Sequence, residues 1–285
     1  MALTENVIAL RKQYVTILDE IYKLESLTSA LDCPSELVRE GANANEILIP
    51  KMDMSGLADY DRNSGFADGF VSLEYETKKC EYDRGKMFTV DSMDNIETAG
   101  IAFGMLSGEF LRTKVVPELD AFRFAKYAAN AGNVVSADLA DGAAAIAALR
   151  AARTYIFNKE AKVGTCYLFI TDALHGAIDD LDTTKSRKAF EGWAGVIDVP
   201  TERFYSAVTL GDDGFTTADG AVPINFLCVP KEAVIQYQKH TVSKVITPEA
   251  NQTADAWKFG YRTVGICEAY DNKKTAIYAH TATAA

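Results

Sequence analysis

The segment that decides the fold is EFLRTKVVPELDA, residues 109–121. Pro117 stands inside it, and a proline lacks the N–H group that the interior of a helix needs. We therefore expect the helical run to be interrupted at Pro117, with a helix beginning near Ser92 before it. A second helix is expected to follow the proline and to end at Gly132.

Glycine recurs at every fourth position just before this segment, at Gly100, Gly104 and Gly108. Each glycine inside a helix costs about 0.5–1 kcal/mol relative to alanine. Three glycines on one helix face therefore indicate close approach of another backbone. The alternative, a poor helix that tertiary contacts rescue, stays open.

The N-terminal residues carry a heptad pattern of apolar side chains from Leu3 to Leu31, with Ile17 and Ile21 in the seam. This spacing predicts an amphipathic helix that ends at Cys33-Pro34. Such a helix is unstable unless its apolar face is covered. It either packs on its own domain or forms an arm that binds another chain.

A hairpin arm is predicted after a linker at residues 35–46. The segment from Ile47 to Met54 indicates a strand with Pro50 inside it, which suits an edge strand. A turn-rich loop follows from Gly56 to Gly69, and residues 70–90 are predicted to be extended again. Two strands around a long loop bury little by themselves, so the arm needs another surface.

The chain after Gly132 alternates predicted helices and strands, which is typical of a compact α/β domain. The last part returns to strands. The expected helices are 138–160, 172–181 and 231–240, and the expected strands are 166–170, 196–199, 204–210, 224–229, 261–270 and 275–280.

Composition and charge narrow the class of protein. The 285 residues are 48% hydrophobic and carry a net charge of −11, which opposes general binding to nucleic acid or anionic lipid. No stretch is long and apolar enough for a membrane-spanning helix, and the first residues lack a secretory signal. We expect a cytosolic protein without membrane partners.

The sequence offers little catalytic chemistry. Cys166 and His175 are a conceivable thiol–imidazole pair, but a thiol inside a buried strand is typically inert. Asp212, Asp213 and Asp219 do not have the spacing of a calcium loop, and a solvated acidic turn is favoured. We expect no catalytic residue, no metal site and no cofactor, although a small hydrolase using Cys166 or Asp172 stays open as an alternative.

Several segments resemble the major capsid proteins of tailed bacteriophages, which have the Hong Kong 97 fold. The most specific is residues 109–121, and others are IPK at 49–51, GLADYDR at 56–62, EYDRGKMF at 81–88 and IYAHT at 277–281. The resemblance implies an α+β fold with these parts: an N-terminal helical arm at 1–45, an E-loop hairpin at 46–91, a P-domain spine helix region at 92–132, an α/β A-domain at 133–240, and strands returning to the P-domain sheet at 241–285.

The resemblance implies a structural protein that assembles from pentamers and hexamers into an icosahedral shell around double-stranded DNA. Portal and scaffolding proteins are expected partners, in a virion assembled in the bacterial cytoplasm. An encapsulin-like protein compartment is the alternative within the same fold. The expected assembly interface comprises Ile17, Ile21, Asp59, Asp61, Arg62, Gly100, Gly104 and Gly108.

Covalent cross-links between subunits are not expected. Resemblance to the type member of the fold suggests a lysine in the E-loop that joins an asparagine of a neighbour. The loop from Gly56 to Gly69 contains no lysine, and Lys51 and Lys86 lie toward the base of the hairpin. The shell should therefore be held by noncovalent contacts.

Overall fold

The computed structural model describes residues 26–33, 39–40, 46–60, 62, 65–93, 108–182 and 184–283. Ile17, Ile21, Asp61, Gly100 and Gly104 lie outside the described residues, so the roles predicted for them stay predictions. Among the described residues, two larger sheets form the body and a third forms a hairpin arm.

A five-stranded sheet lies at the centre of the larger layered part. Its buried strands alternate between two apolar clusters: in the strand that begins at Cys166, Leu168 and Ile170 face one cluster and Phe169 faces the other. Both faces are therefore covered, as in an α/β layer. In spatial order, the strands are β5 (Asn133–Ser136), β13 (Tyr278–Thr281), β10 (Ile224–Pro230), β6 (Cys166–Thr171) and β7 (Gly195–Val199).

Helices cover this sheet on its two sides. On one side, Phe124 and Tyr127 of helix α1 (Val116–Ala129) join the cluster around Phe169. On the other side, helix α2 (Gly142–Asn158) packs with α3 (Asp172–Asp179) and α4 (Thr184–Phe190). The Asp141 carboxylate caps α2 by accepting a hydrogen bond from Ala144 N–H.

A three-stranded antiparallel sheet extends the body. Its order is β11 (Val234–Ile246), β12 (Ala256–Ala269) and β4 (Tyr82–Asp91). Phe259 and Tyr261 of β12 are buried against Leu111 and Val115 of the helix that crosses the sheet. A small hairpin, β8 (Val208–Gly211) and β9 (Gly214–Thr217), lies beside α1.

The helix at the decisive segment is continuous, so the expected interruption at Pro117 is wrong. Residues 108–110 are helical, Leu111–Val115 form a π-turn, and α1 follows directly. Val116 N–H bonds the carbonyl of Leu111 across this wider turn. Pro117 directly follows this wider turn, so the departure from regular α-helical hydrogen bonding is confined to the π-turn next to the proline.

The segment Ser26–Cys33 is not the end of an α-helix, contrary to the heptad prediction. It forms a turn and a 3-10 helix at Ser29–Leu31. The buried carboxylate of Asp120 accepts hydrogen bonds from Ser26 Oγ at 2.9 Å, Thr28 Oγ1 at 2.7 Å and Leu27 N at 3.1 Å. These hydrogen bonds satisfy polar groups of the segment without a helical conformation. Arg123 donates a further hydrogen bond to Thr28 Oγ1.

Two further expectations are corrected. Residues 231–240 were expected to be a helix, but after the 3-10 turn Lys231–Ala233 the chain forms the long strand β11. Strand β11, which contains β-branched residues, pairs with β12 along almost the whole of β12. This pairing overrides the local helix preference of residues 231–240. Of the strands after residue 240, the second half of β11 and β12 pair in the three-stranded sheet, whereas the last strand, β13, joins the five-stranded sheet.

Candidate assembly surface

The hairpin arm consists of β2 (Glu46–Met54) and β3 (Val71–Lys79), which pair antiparallel along their whole length. A two-residue strand, β1 (Arg39–Glu40), adds to the base of β2. This hairpin confirms the predicted strand with Pro50 inside it. At Pro50 the second edge of β2 carries no strand among the described residues, which suits a residue without an N–H group.

The base of the hairpin is fixed to the body through one of its two faces. Ile47 and Ile49 point to that face and are buried with Ile235 and Ile266 of β11 and β12. Burial of two isoleucines is worth about 3–6 kcal/mol at 1.5–3 kcal/mol each. The base is therefore part of the core of the body.

The outer part of the hairpin has its apolar residues on the opposite face. Directly opposed residues of an antiparallel pair share a face. The pairs Met52–Leu73 and Met54–Val71 therefore point away from the side that docks Ile49, and Pro50–Tyr75 continues the same stripe. Met52 is 50% exposed and Leu73 is 53% exposed. We call this stripe of six residues, Pro50, Met52, Met54, Val71, Leu73 and Tyr75, the distal face.

The body supports the hairpin only as far as its middle. Lys51 Nζ lies 3.8 Å from Asp271 Oδ2, and Asn272 donates to the carbonyl of Met52 at 3.4 Å. Among the described residues, no hydrogen bond or ion pair joins positions 53–75 to the body. The distal face is thus apolar surface held in solvent by a supported base.

The loop at the end of the hairpin adds more exposed apolar surface. Leu57 is fully exposed, and the rings of Tyr60 and Phe66 pack edge to face with centroids 5.0 Å apart. The loop is closed at its base because Phe70 N–H donates to Ser55 Oγ at 3.0 Å and Ser55 N–H donates to the Phe70 carbonyl.

The structure brings two of the predicted interface residues to this loop. Asp59 and Arg62 are exposed there. Gly108 is half-buried at the first described turn of the helix, far along the chain from the hairpin. The charges at the loop were selected from sequence, whereas the apolar distal face was missed, although the alternation of Val71, Leu73 and Tyr75 was its signal.

The groups considered for catalysis take other roles. Burial raises the pKa of the Cys166 thiol to about 12, and this thiol donates to the Lys162 carbonyl. The His175 ring nitrogen Nδ1 lies 2.6 Å from Asp198 Oδ1, and the ring packs on Phe190. The structure therefore gives His175 a carboxylate partner in place of the thiol that was considered for it.

The acidic turn also has a structural partner. Lys86 Nζ donates to Asp213 Oδ1 and to the Asp212 carbonyl, both at 2.9 Å. This lysine holds the pKa of the Asp213 carboxyl below its usual range. Within the described ranges, no cluster of three or more histidine, cysteine or acidic residues is arranged to hold a metal, and no helix is long and apolar enough to span a membrane.

Comparison with solved structures identifies the fold. The capsid of cyanophage P-SCSP1u matches with a TM-score of 0.58 at 10% identity, covering 87% of this chain and 86% of that one. The mature capsid of bacteriophage PhiM1 matches at 0.58 and 11% identity, covering 84% and 82%. A virus-like particle from Pyrococcus furiosus matches at 0.59 and 12% identity, covering 94% and 98%.

The chain therefore has the fold of these capsid structures, which confirms the predicted α+β, Hong Kong 97-type fold class. No protein-family model and no curated protein matches the chain. Identities of 10–12% establish a shared fold and leave the function to be argued from the surface itself.

Proposed function

We propose that this chain is the major capsid protein of a tailed bacteriophage, a structural and non-enzymatic subunit of an icosahedral shell built from pentamers and hexamers. The observation that carries the proposal is the hairpin arm, whose distal face is apolar on the side opposite to the one that docks on its own body. A contiguous exposed apolar patch of this kind marks a protein interface.

The arm has a geometry that suits contact between copies. Its base is part of the core, so its direction is fixed, while the outer pairs Met52–Leu73 and Met54–Val71 are exposed and have no cover from the part of the chain that the structure describes. A second copy that covers the distal face repeats the contact around a ring. Repetition of one head-to-tail contact between identical subunits gives a closed ring when the rotation between neighbours closes.

The net charge of the chain supports DNA as the content of the proposed shell. A net charge of −11 opposes tight adhesion to the phosphate backbone, which suits a wall that encloses double-stranded DNA and lets it leave. In this proposal the protein belongs to the virion, is assembled in the bacterial cytoplasm, and works with portal and scaffolding proteins.

The remaining interface residues in the proposal come from the sequence. Ile17 and Ile21 contribute the apolar face of an N-terminal arm, and Gly100, Gly104 and Gly108 allow close approach of a neighbouring backbone. Asp59, Asp61 and Arg62 make charged contacts at the end of the hairpin. Exposed ion pairs of this kind are worth only about 0–1 kcal/mol each, so the apolar distal face contributes most of the contact energy.

A protein compartment is the second candidate, because the similar structures include the virus-like particle from Pyrococcus furiosus. The two candidates differ in what the shell contains. Particles isolated from the natural source should protect double-stranded DNA from nuclease if the shell is a capsid. Particles that hold a co-purifying enzyme and no nucleic acid would favour the compartment.

Assembly itself is tested with the purified chain. Sedimentation velocity and negative-stain imaging should show closed particles at micromolar concentration, with or without a scaffolding protein. A chain that stays monomeric under every assembly condition, including addition of its scaffold, would contradict the proposed function.

A further inference from the structure

The surface of helix α3 carries a histidine that lies between two carboxylates. His175 Nδ1 lies 2.6 Å from Asp198 Oδ1 on strand β7, and His175 Nε2 lies 3.7 Å from Asp179 Oδ2, one turn later on α3. The ring also packs on Phe190 of α4, with ring centroids 4.5 Å apart. We call His175, Asp179 and Asp198 the histidine site.

The short contact with Asp198 fixes the tautomer of the ring. An ionised carboxylate only accepts hydrogen bonds, so the proton of the neutral imidazole lies on Nδ1. Nε2 then presents its lone pair toward the second carboxylate, that of Asp179. Two electron-pair donors that face each other in this way are stabilised by a cation between them, which is either a proton or a metal ion.

The charge around the ring favours a divalent ion. Among the described residues, no lysine or arginine forms an ion pair with Asp179 or Asp198. The exposed carboxylates of Asp172 and Asp180 add negative charge at the two ends of the same short helix. Helix α3 also ends at Asp179, and the last carbonyls of a helix favour a positive charge.

The geometry suits a transition-metal ion. Zinc binds imidazole nitrogen and carboxylate oxygen at about 2.0–2.2 Å, so two ligand atoms of a tetrahedral zinc ion lie about 3.4 Å apart. The separation of 3.7 Å between His175 Nε2 and Asp179 Oδ2 needs only a small side-chain shift to reach this value. Asp198 matches the carboxylate that typically orients a ligand histidine through its other ring nitrogen.

We propose that the histidine site binds a divalent transition-metal ion, with His175 Nε2 and Asp179 Oδ2 as the two ligands from the chain and water in the other positions. Asp198 is a positioning residue, because it acts on the metal through the ring. The site has two ligands and so differs from a cluster of three, of which the described residues hold none. The inference goes beyond the proposed function and does not depend on it, because both ligands come from one chain.

Equilibrium dialysis of the untagged protein against zinc tests the site. The wild type should bind zinc at a site whose affinity falls by more than about tenfold in His175→Gln and in Asp179→Asn, since even the loss of an orienting partner has an effect of this size. His240→Gln and Asp180→Asn are the matched controls, because both residues are exposed and neither belongs to the histidine site. Both controls should bind zinc like the wild type.

X-ray absorption at the zinc edge identifies the ligands. One imidazole and further oxygen neighbours are expected at about 2.0–2.2 Å, whereas binding to the half-buried thiols of Cys33 or Cys80 would give sulfur at about 2.3 Å. Sulfur coordination, or unchanged zinc binding in His175→Gln, would overturn the inference. Absence of zinc binding in the wild type would also overturn it, because a proton alone would then lie between the ring and Asp179.

Asp198→Asn tests the positioning role. The asparagine side chain still accepts a hydrogen bond from Nδ1 but lacks the negative charge, so zinc affinity should fall about tenfold while the imidazole neighbour stays in the absorption spectrum. The melting temperature without zinc should stay at that of the wild type, and excess zinc should raise it less in the variant. Equal zinc affinity in the variant and the wild type would contradict the role of Asp198.

Discussion

Replacement of the central pair of the distal face should weaken assembly without weakening the fold. Met52 and Leu73 oppose each other and are 50% and 53% exposed, so about half of each side chain remains for a neighbour to cover. Full burial of such a side chain is worth about 1.5–3 kcal/mol, so covering the exposed half of both is worth about 2 kcal/mol. Since every 1.4 kcal/mol is tenfold in an equilibrium constant, Met52→Ser with Leu73→Ser should raise the critical assembly concentration about 30-fold.

The assay is sedimentation across a concentration series, with the melting temperature of the unassembled subunit measured in parallel. Asp53→Ser with Glu74→Ser is the matched control, because it changes neighbouring positions of the same two strands on the opposite face. The control should assemble like the wild type, and both variants should melt like it. If the Met52/Leu73 variant assembles at the wild-type concentration, or the control loses as much, the distal face is not the interface.

Four other outcomes are expected. Asp120→Ala should lower the free energy of unfolding by about 3–5 kcal/mol in chemical denaturation, because the buried partners of this carboxylate are left without it. Ser26→Ala removes only one hydrogen-bond donor and should lower it by about 1 kcal/mol. Equal losses in the two variants would contradict the network. In native protein at pH 8 a thiol reagent should modify Cys33 and Cys80 and leave Cys166, Cys228 and Cys267 unmodified, since these three are buried; rapid labelling of all five would contradict this. Burial raises the pKa of Cys166 and Cys267 from 9.0 to about 12, so in the unfolded chain these thiols ionise at a lower pH than in the folded one. The free energy of unfolding should therefore be fully present below pH 9 and decrease as the pH rises toward 12. In a Cys166→Ala variant this decrease should be less steep. Particles boiled in SDS should release a single band near 31.1 kDa, and a ladder of multimers that resists reductant would show covalent joining of subunits.

The elements that the sequence predicted well are those whose apolar period matches their burial in this chain. The alanine-rich helix α2 and the strands β6 and β10 are covered on the faces that their patterns indicate. The first part of β11, residues 234–240, was predicted to be a helix, because its burial depends on pairing with β12, which lies later in the chain. The π-turn before Pro117 has no sequence period of its own, so the continuity of that helix was not predictable from spacing.

The proposed interface was predictable only in part. The alternation of Val71, Leu73 and Tyr75 indicated a strand with one apolar face, but a period of two does not say what covers that face. The register that sets Met52 opposite Leu73 depends on where β2 and β3 begin their pairing. The contacts of Asp120 with Ser26 and Thr28 span more than 90 residues of sequence, and no local pattern marks them.

The order of strands in the three-stranded sheet has a consequence for synthesis of the chain. Strand β4, which leads directly out of the hairpin, pairs only with β12 among the described residues, and β12 comes from residues 256–269. The base of the hairpin rests on Ile235 and Ile266, also from the late part of the chain. While the ribosome is still adding the last quarter, the arm exists with its apolar face but has no fixed direction. A truncated chain therefore presents the distal face at no defined angle, and in the proposed shell geometry alone would exclude incomplete subunits from assembly.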